Sequence, residues 1–216
     1  MLTLYTYFRS SAAFRVRIAL NLKMLAWQPE VIWLPDGEQS RPPYQSVNPQ
    51  SLVPTLVDGD DRMAQSMAII EYLDETHPQP PLLPGGPGDR ARIRSLAQLI
   101  ACDIHPLNNL RVLKYLKRGL GQTQEAIDTW YRHWCTEGLS AYERQLGDGK
   151  AGEFSHGDKV SLADVCLVPQ IFNAQRFAVD IGQFPTTLAI FERCMKLEAF
   201  DAAQPSKQAE ASRASA

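Results

Sequence analysis

The stretch that decides the fold lies close to the amino end of the chain and reads Tyr7-Phe8-Arg9-Ser10-Ser11-Ala12-Ala13-Phe14-Arg15-Val16-Arg17-Ile18-Ala19-Leu20. It follows a short apolar run over residues 2–5 that predicts a strand, and its own apolar residues recur at helical intervals. The hydroxyls of Ser10 and Ser11 therefore stand where a strand turns into a helix. The unpaired N–H groups and the dipole of a helix start favour an anion there, although one serine can also serve only as the N-cap.

Strand and helix signals alternate over residues 1–80. Beyond the first strand and a helix over residues 14–25, we predict a strand at 30–34, strands at 55–57 and 62–64, and a helix at 67–76. The last two strands flank the turn Asp58-Gly59-Asp60-Asp61, and Ser66 is the predicted N-cap of the final helix. The order βαβ, hairpin, helix predicts a thioredoxin-like α/β domain over residues 1–80.

A run rich in proline and glycine over residues 77–88 separates this domain from a helical remainder. We predict a linker at 81–88, an all-helical domain at 89–205 and a frayed tail at 206–216, so the fold class is α/β followed by all-α. Pro106 is expected to bend, and not to end, a long helix over residues 96–115. The segment Ser161-Leu162-Ala163-Asp164 predicts a capping box at the start of another helix.

Composition and charge argue against several classes of function. The net charge of −2 gives no basic surface for nucleic acid, and no apolar run approaches the roughly 20 residues that span a bilayer. The four cysteines and four histidines are dispersed, without the spacing of a zinc site or of a C-x-x-C pair. We therefore expect a cytoplasmic protein without a metal, a nucleic-acid partner or a membrane segment.

Two further segments point to the binding of an extended peptide. Pro54 directly precedes a predicted strand, and a cis Val53–Pro54 bond would turn the backbone groups of Val53 outward for β-type pairing. A trans bond would make the same dipeptide an ordinary strand start. Gln65-Ser66 opens a helix, where a hydroxyl and free N–H groups could hold a carboxylate, or where Ser66 could be a plain N-cap.

Together these segments resemble the cytosolic glutathione transferases and, more narrowly, their zeta class, the family of the maleylacetoacetate and maleylpyruvate isomerases. The resemblance spans residues 2–205 and implies a glutathione cofactor, a dicarboxylate substrate and a homodimer. It is carried by residues 10–20, by Gln65-Ser66-Met67-Ala68-Ile69-Ile70-Glu71-Tyr72-Leu73 and by Leu162-Ala163-Asp164-Val165-Cys166-Leu167-Val168-Pro169-Gln170.

The resemblance also implies roles for particular residues. Ser10 would contact the sulfur of glutathione, with Ser11 in support, because a hydroxyl donor at a helix start lowers the pKa of a thiol. Arg9 and Arg176 would hold the substrate carboxylates, since planar guanidinium groups match carboxylates. The residues implied to bind glutathione are Gln39, Val53, Gln65, Ser66, His105, Asn108, Asn109 and Arg111.

Four side chains near the two serines are interpreted as structural, surface or core residues. Arg15 and Arg17 are interpreted as structural or surface charges. Tyr5 and Tyr7 compete with the serines for the sulfur contact, because other transferase classes use a tyrosine near the end of the first strand. Their shared strand face favours core packing instead.

One departure from the zeta pattern bears on mechanism. Ala12 stands where the pattern has cysteine, and Phe14 replaces the usual tryptophan. Chemistry that needs a protein thiol at Ala12 is therefore excluded, whereas the thiol of glutathione remains usable. The implied reaction is the cis–trans isomerisation of maleylacetoacetate to fumarylacetoacetate by reversible thiolate addition. Maleylpyruvate isomerisation, general conjugation of electrophiles and a non-catalytic binding role on the same scaffold are the alternatives.

Overall fold

The structure, a computed structural model, describes residues 1–214 and separates into two units by its internal contacts. The first unit comprises Met1–Pro81 and the chain from Lys196 onward, and the second comprises Leu82–Met195. The first boundary lies next to the expected domain end at residue 80. The second unit stops at Met195, short of the expected end at residue 205, because the chain returns to the first unit there.

A four-stranded mixed sheet forms the centre of the first unit. Its strands are β1 (Leu2–Thr6), β2 (Trp27–Val31), β3 (Thr55–Asp58) and β4 (Asp61–Ala64), in the order β2-β1-β3-β4. β1 pairs parallel with β2 and antiparallel with β3, which in turn pairs antiparallel with β4. The predicted thioredoxin-like arrangement is confirmed. β2 begins three residues before the prediction and contains Pro29, which is tolerated because β2 is an edge strand.

The helices follow the predicted alternation and then dominate the second unit. In chain order they are α1 (Ser11–Leu22), α2 (Pro42–Gln45), α3 (Ser66–Thr76), α4 (Pro87–Gln98), α5 (His105–Leu107), α6 (Leu110–Arg118), α7 (Gln124–Leu146), α8 (Leu162–Arg176), α9 (Pro185–Cys194) and α10 (Glu198–Asp201).

The prediction of one bent helix across Pro106 is wrong. α4 passes into a π-helical stretch, Leu99–Ile104, and then into α5, which ends at Leu107. The side-chain oxygen of Asn109 accepts a hydrogen bond from the N–H of Arg111 at 3.1 Å and so caps a new helix, α6. Proline has no N–H for the helical hydrogen-bond pattern, and the π-helical turn before Pro106 accommodates this loss. The cap at Asn109 then starts a separate helix after α5.

The predicted capping box at the start of α8 is confirmed. The buried carboxylate of Asp164 accepts hydrogen bonds from the N–H groups of Ser155 and Ser161, each at 2.8 Å, and from the Ser161 hydroxyl at 2.9 Å. One side chain thus satisfies the helix start and fixes the loop before it.

The described part of the C-terminal segment belongs to the first unit, and residues 215–216 of the expected frayed tail lie outside the described residues. It contains two 3-10 turns, Pro205–Lys207 and Ala209–Ala214, and Ala211 packs against a cluster of aromatic residues that includes Trp33. None of the helices within residues 1–214 has the length and apolar character needed to cross a bilayer.

Candidate active site

The strand register brings three loops of the first unit together at one end of the strands. Tyr5 at the end of β1 pairs with Thr55 at the start of β3, and Thr55 pairs with Ala64 at the end of β4. The segments that follow β1, precede β3 and follow β4 therefore lie side by side. They carry Ser10, Val53 and Ser66 in turn.

Ser10 is both a helix cap and an available donor. Its Oγ accepts a hydrogen bond from the N–H of Ala13 at 3.2 Å, so the N-cap interpretation is confirmed. A hydroxyl keeps its own hydrogen when it accepts a bond. No acceptor among the described residues takes that hydrogen, and Ser10 is only half-buried, whereas Ser11 is 6% exposed. Ser10 is thus the more accessible hydroxyl at the positive end of α1.

The loop before β3 presents an unbonded piece of backbone. The Val53–Pro54 peptide bond is cis, which the sequence left open. Within residues 1–214, no backbone hydrogen bond reaches the N–H or the C=O of Val53. The Val53 side chain packs in a buried cluster with Tyr7, Phe8, Trp33 and Tyr44. An anchored residue with free backbone groups can pair with an extended ligand.

The start of α3 differs from the prediction. Gln65, not Ser66, is the N-cap residue, and its side chain does not cap the helix. Gln65 has a φ of 72°, in the left-handed region that a residue with a side chain rarely adopts. Ser66 is the first helical residue and is 6% exposed. Its Oγ accepts a hydrogen bond at 3.2 Å from Nη1 of Arg15.

The two arginines of α1 are both buried, each 1% exposed. Arg17 is structural, as predicted: it donates to the Thr6 hydroxyl and to the carbonyl oxygens of Phe8 and Ala203, at 3.0–3.2 Å. Its burial lowers its pKa to about 10. Arg15 instead reaches Ser66, a residue implied to bind the ligand. Sequence reasoning missed this contact because it joins α1 to α3 across the fold.

Gln39 and Arg9 complete the candidate residues of the first unit. Gln39 lies in a 3-10 turn, Glu38–Ser40, and its Oε1 is buried without a hydrogen-bond partner among the described residues. Arg9 is exposed, and its guanidinium carbon lies 5.0 Å from the centre of the Phe8 ring. An orphaned acceptor and an exposed cation are the groups that a polar ligand would use.

The candidates of the second unit fall around the break between α5 and α6. Nδ2 of Asn108 donates to the carbonyl oxygen of Tyr131 at 3.3 Å, and Asn108 is 8% exposed. Its Oδ1 is buried with no hydrogen-bond partner within residues 1–214. Asn109 caps α6 through Arg111 and lies 3.4 Å from Nε2 of His105, so its side chain has a structural role as well.

Arg176 is the last residue of α8, and its side chain is exposed. Its Nη1 donates to Oδ1 of Asn173 at 3.3 Å. The neighbouring Phe177 ring stacks on Tyr131 with centres 3.6 Å apart. Burial raises the pKa of Tyr131, and the charge of Arg176 opposes that rise. Arg176 and Asn108 therefore both lie near Tyr131, within the second unit.

Three of the four protein thiols are buried and poorly suited as nucleophiles. Burial raises the pKa of Cys135 to about 11 and also raises the pKa of Cys194. Cys166 is buried, and Cys102 is exposed on the π-helical stretch of the second unit. Among residues 1–214, no group of three His, Cys, Asp or Glu side chains is placed to hold a metal ion.

Comparisons with known proteins give the same family. A sequence profile described as "Glutathione S-transferase, N-terminal domain" matches residues 4–81. A probable maleylacetoacetate isomerase of Vibrio cholerae is 47% identical over 212 residues, with 97% of this chain and 98% of the relative covered.

Solved structures agree with the sequence matches. A holo maleylpyruvate isomerase, described as a bacterial glutathione S-transferase of the zeta class, has a TM-score of 0.94 at 42% identity, with 96% of this chain and 99% of that chain covered. A maleylacetoacetate isomerase from Methylobacterium extorquens AM1, with bound malonate and glutathione, has a TM-score of 0.93 at 42% identity, with 95% and 97% covered.

A thioredoxin-like unit followed by a helical unit, with a hydroxyl at the start of α1, defines a glutathione transferase fold. The chain belongs to the zeta class of this family.

Proposed function

We propose that this protein catalyses the glutathione-dependent isomerisation of maleylacetoacetate to fumarylacetoacetate. The observation that carries the proposal is the Ser10 hydroxyl, half-exposed at the start of α1, whose hydrogen no acceptor in residues 1–214 takes. Such a donor stabilises a thiolate. Ala12 removes the protein thiol of the class pattern, so the reactive sulfur has to come from glutathione.

The residues of the first unit fit glutathione as a ligand. Val53 offers an unbonded N–H and C=O to an extended tripeptide backbone, and Gln39 offers a buried orphan acceptor. Ser66 and the uncapped start of α3, with Gln65 beside them, suit the γ-glutamyl carboxylate. In the second unit, Asn108 offers a second orphan acceptor, and His105, Asn109 and Arg111 complete the proposed binding set.

Glutathione, when bound, supplies a thiolate that adds reversibly to the conjugated cis double bond and so permits rotation about it. Ser10 donates its hydrogen to hold the sulfur as an anion, and Ser11 supports the helix start behind it. Arg9 and Arg176 hold the carboxylates of the substrate and stabilise negative charge that develops at its ketone oxygen. No side-chain base is required for the addition, because the nucleophile is already ionised.

Maleylpyruvate is the second candidate substrate, favoured by the similarity to the maleylpyruvate isomerase structure. The two substrates carry the same cis-enone and terminal carboxylates and differ mainly in chain length. General conjugation of electrophiles would use the same thiolate without a need for Arg9 and Arg176. A non-catalytic binding role would leave the donor hydrogen of Ser10 without a catalytic task, although its oxygen would still cap α1.

The test is an isomerase assay of the purified protein with maleylacetoacetate and with maleylpyruvate, each with and without glutathione. We expect loss of the cis substrate only when glutathione is present. Turnover without glutathione would refute the mechanism. Conjugation of neutral electrophiles without isomerisation would favour a general transferase, and glutathione binding without either reaction would favour the binding role.

We also propose that the protein works as a homodimer in the cytoplasm. Family membership supports the dimer, and four cysteines that form no disulfide suit a reducing compartment. Light scattering of the purified protein tests the dimer, and a monomer at assay concentration would refute it. Cell fractionation with antibody detection tests the compartment.

A further inference from the structure

A buried arginine adjoins the proposed cofactor site without any role in the mechanism above. Arg15 lies on α1, is 1% exposed, and donates through Nη1 to the hydroxyl oxygen of Ser66 at 3.2 Å. Ser66 is itself 6% exposed and begins α3. The contact therefore joins the interior of one helix to the first residue of the other.

The direction of this hydrogen bond fixes what Ser66 can do. A guanidinium group has donors only, so Ser66 Oγ must be the acceptor. The hydroxyl hydrogen is then directed away from Arg15. No acceptor among the described residues takes that hydrogen, so Ser66 is left as an oriented donor at the start of a helix.

We propose that Arg15 is a positioning residue that makes Ser66 a dedicated donor to the γ-glutamyl α-carboxylate of glutathione. This inference rests on the proposed function, because it needs glutathione as the ligand. A hydroxyl held only by water could turn either way, whereas one that accepts from Arg15 presents its hydrogen to an anion. The buried positive charge also adds to the field of the α3 dipole, which favours a carboxylate over a neutral group.

Arg17 provides a matched control on the same helix. It is equally buried, but its hydrogen bonds go to Thr6, Phe8 and Ala203 and none goes to Ser66. Replacing either arginine removes a buried cation from α1. Only the replacement of Arg15 removes the contact with Ser66, so a difference between the two variants isolates that contact from general loss of stability.

The experiment compares the binding of two peptides by titration calorimetry, without any turnover. One is S-methylglutathione, and the other is S-methylated 4-aminobutyryl-cysteinyl-glycine, which lacks only the γ-glutamyl α-carboxylate. We expect Arg15→Met to weaken S-methylglutathione by about tenfold or more, the scale of one lost hydrogen bond to a charged group, and to change the second peptide by less than about twofold. Arg17→Met should leave the ratio of the two affinities unchanged.

Coupling between Arg15 and Ser66 provides the second measurement. Because both act on the same carboxylate, Ser66→Ala should produce the same selective loss, and the double variant should be no weaker than the weaker single variant. Arg15→Lys keeps a buried cation and should retain part of the selectivity. If the Arg15 variants do not fold, Ser66→Ala alone still decides, since an equal loss for both peptides overturns the proposal.

The outcomes separate this inference from the proposed function. If the unaltered protein binds neither peptide, the proposed function fails. If it binds S-methylglutathione, two results would overturn only the role of Arg15. One is that Arg15→Met and Arg17→Met weaken the binding of both peptides alike. The other is that the losses caused by Arg15→Met and by Ser66→Ala simply add.

Discussion

The rings of Phe8 and Trp33 are stacked, with centres 5.9 Å apart and planes inclined by 13°. Arg9 lies over the Phe8 ring at 5.0 Å and Arg213 lies over the Trp33 ring at 4.5 Å. The proposed substrate-binding arginine thus stands at one end of an aromatic stack whose other end is covered by the C-terminal segment. Both rings belong to the buried aromatic cluster of the first unit.

Substitutions at the two ends of this stack should change the free energy of unfolding by very different amounts. Trp33→Ala opens a cavity in a buried aromatic cluster, so we expect the free energy of unfolding to fall by about 3–5 kcal/mol. Arg213→Ala removes an exposed cation–π contact and should cost only about 0.5–1 kcal/mol. Denaturant unfolding measures both, and equal small losses would show that the Trp33 cluster is not part of the core.

Removal of the Ser10 hydroxyl should raise the pKa of the glutathione thiol in the complex. One hydrogen bond to a charged group is worth about 1.5–3 kcal/mol, so Ser10→Ala should raise that pKa by about 1–2 units. The ultraviolet absorbance of the thiolate, followed against pH, gives the value. Ser10→Thr, which keeps both the cap and the hydroxyl, is the control. An unchanged thiol pKa in Ser10→Ala would remove Ser10 from the sulfur site.

Substitution of Arg176 should separate acidic from neutral substrates. Its guanidinium is proposed to hold a carboxylate, so Arg176→Ala should lower kcat/KM for the dicarboxylate by about tenfold or more. A neutral electrophile conjugated by the same thiolate should lose less than about twofold. Arg118→Ala, at the exposed end of α6, is the matched control. Equal losses for both substrates would place Arg176 outside the substrate site.

The ion pair between Arg92 and Asp148 should make stability depend on pH in a narrow acid range. Oδ2 of Asp148 lies 2.6 Å from Nε of Arg92 and Oδ1 lies 2.8 Å from Nη2. The hydrogen bond from Arg92 is the main cause that lowers the Asp148 pKa to about 2. A carboxylate with a lowered pKa stabilises the folded state above its ordinary pKa, and this contribution is lost as the pH falls through the folded value.

Asp148→Asn should therefore lower the free energy of unfolding at neutral pH by about 1 kcal/mol, a figure reduced for the solvent exposure of the carboxylate. The difference from the unaltered protein should shrink between about pH 4 and pH 2. Urea unfolding at several pH values tests this. Asp60→Asn, in the exposed hairpin turn, is the control for removal of one exposed carboxylate. A constant difference across that range would contradict the assigned cause.

The candidate site was partly accessible from the sequence. The cap at Ser10 and the capping box of Ser161 and Asp164 depend on residues three positions apart, so the local pattern was sufficient to predict them. The order of strands and helices along the first unit followed from the alternation of apolar runs. The prediction of one continuous helix failed at Asn108 and Asn109, because a π-helical turn before Pro106 has no sequence signal in one chain.

The role of Ser66 shows what lay beyond the sequence. A serine before a helix predicts an N-cap, but here the helix begins at Ser66 itself and Gln65 is the N-cap residue. The sequence also gave no sign that Arg15, 51 positions earlier in the chain, donates to the Ser66 hydroxyl. The position of residues beyond Met195 in the first unit was equally hidden, since it depends on packing against α1.

The sequence by itself thus determined the order of the elements, the helix starts set by nearby side chains, the family and the absence of a thiol at Ala12. Only the tertiary structure decided which hydroxyls keep a free hydrogen, which acceptors are buried without a partner and which arginine donates a hydrogen bond to Ser66. The physical reason is the distance along the chain over which each effect acts. Capping and periodicity act over a few residues, whereas hydrogen-bond satisfaction depends on side chains that only folding brings into contact.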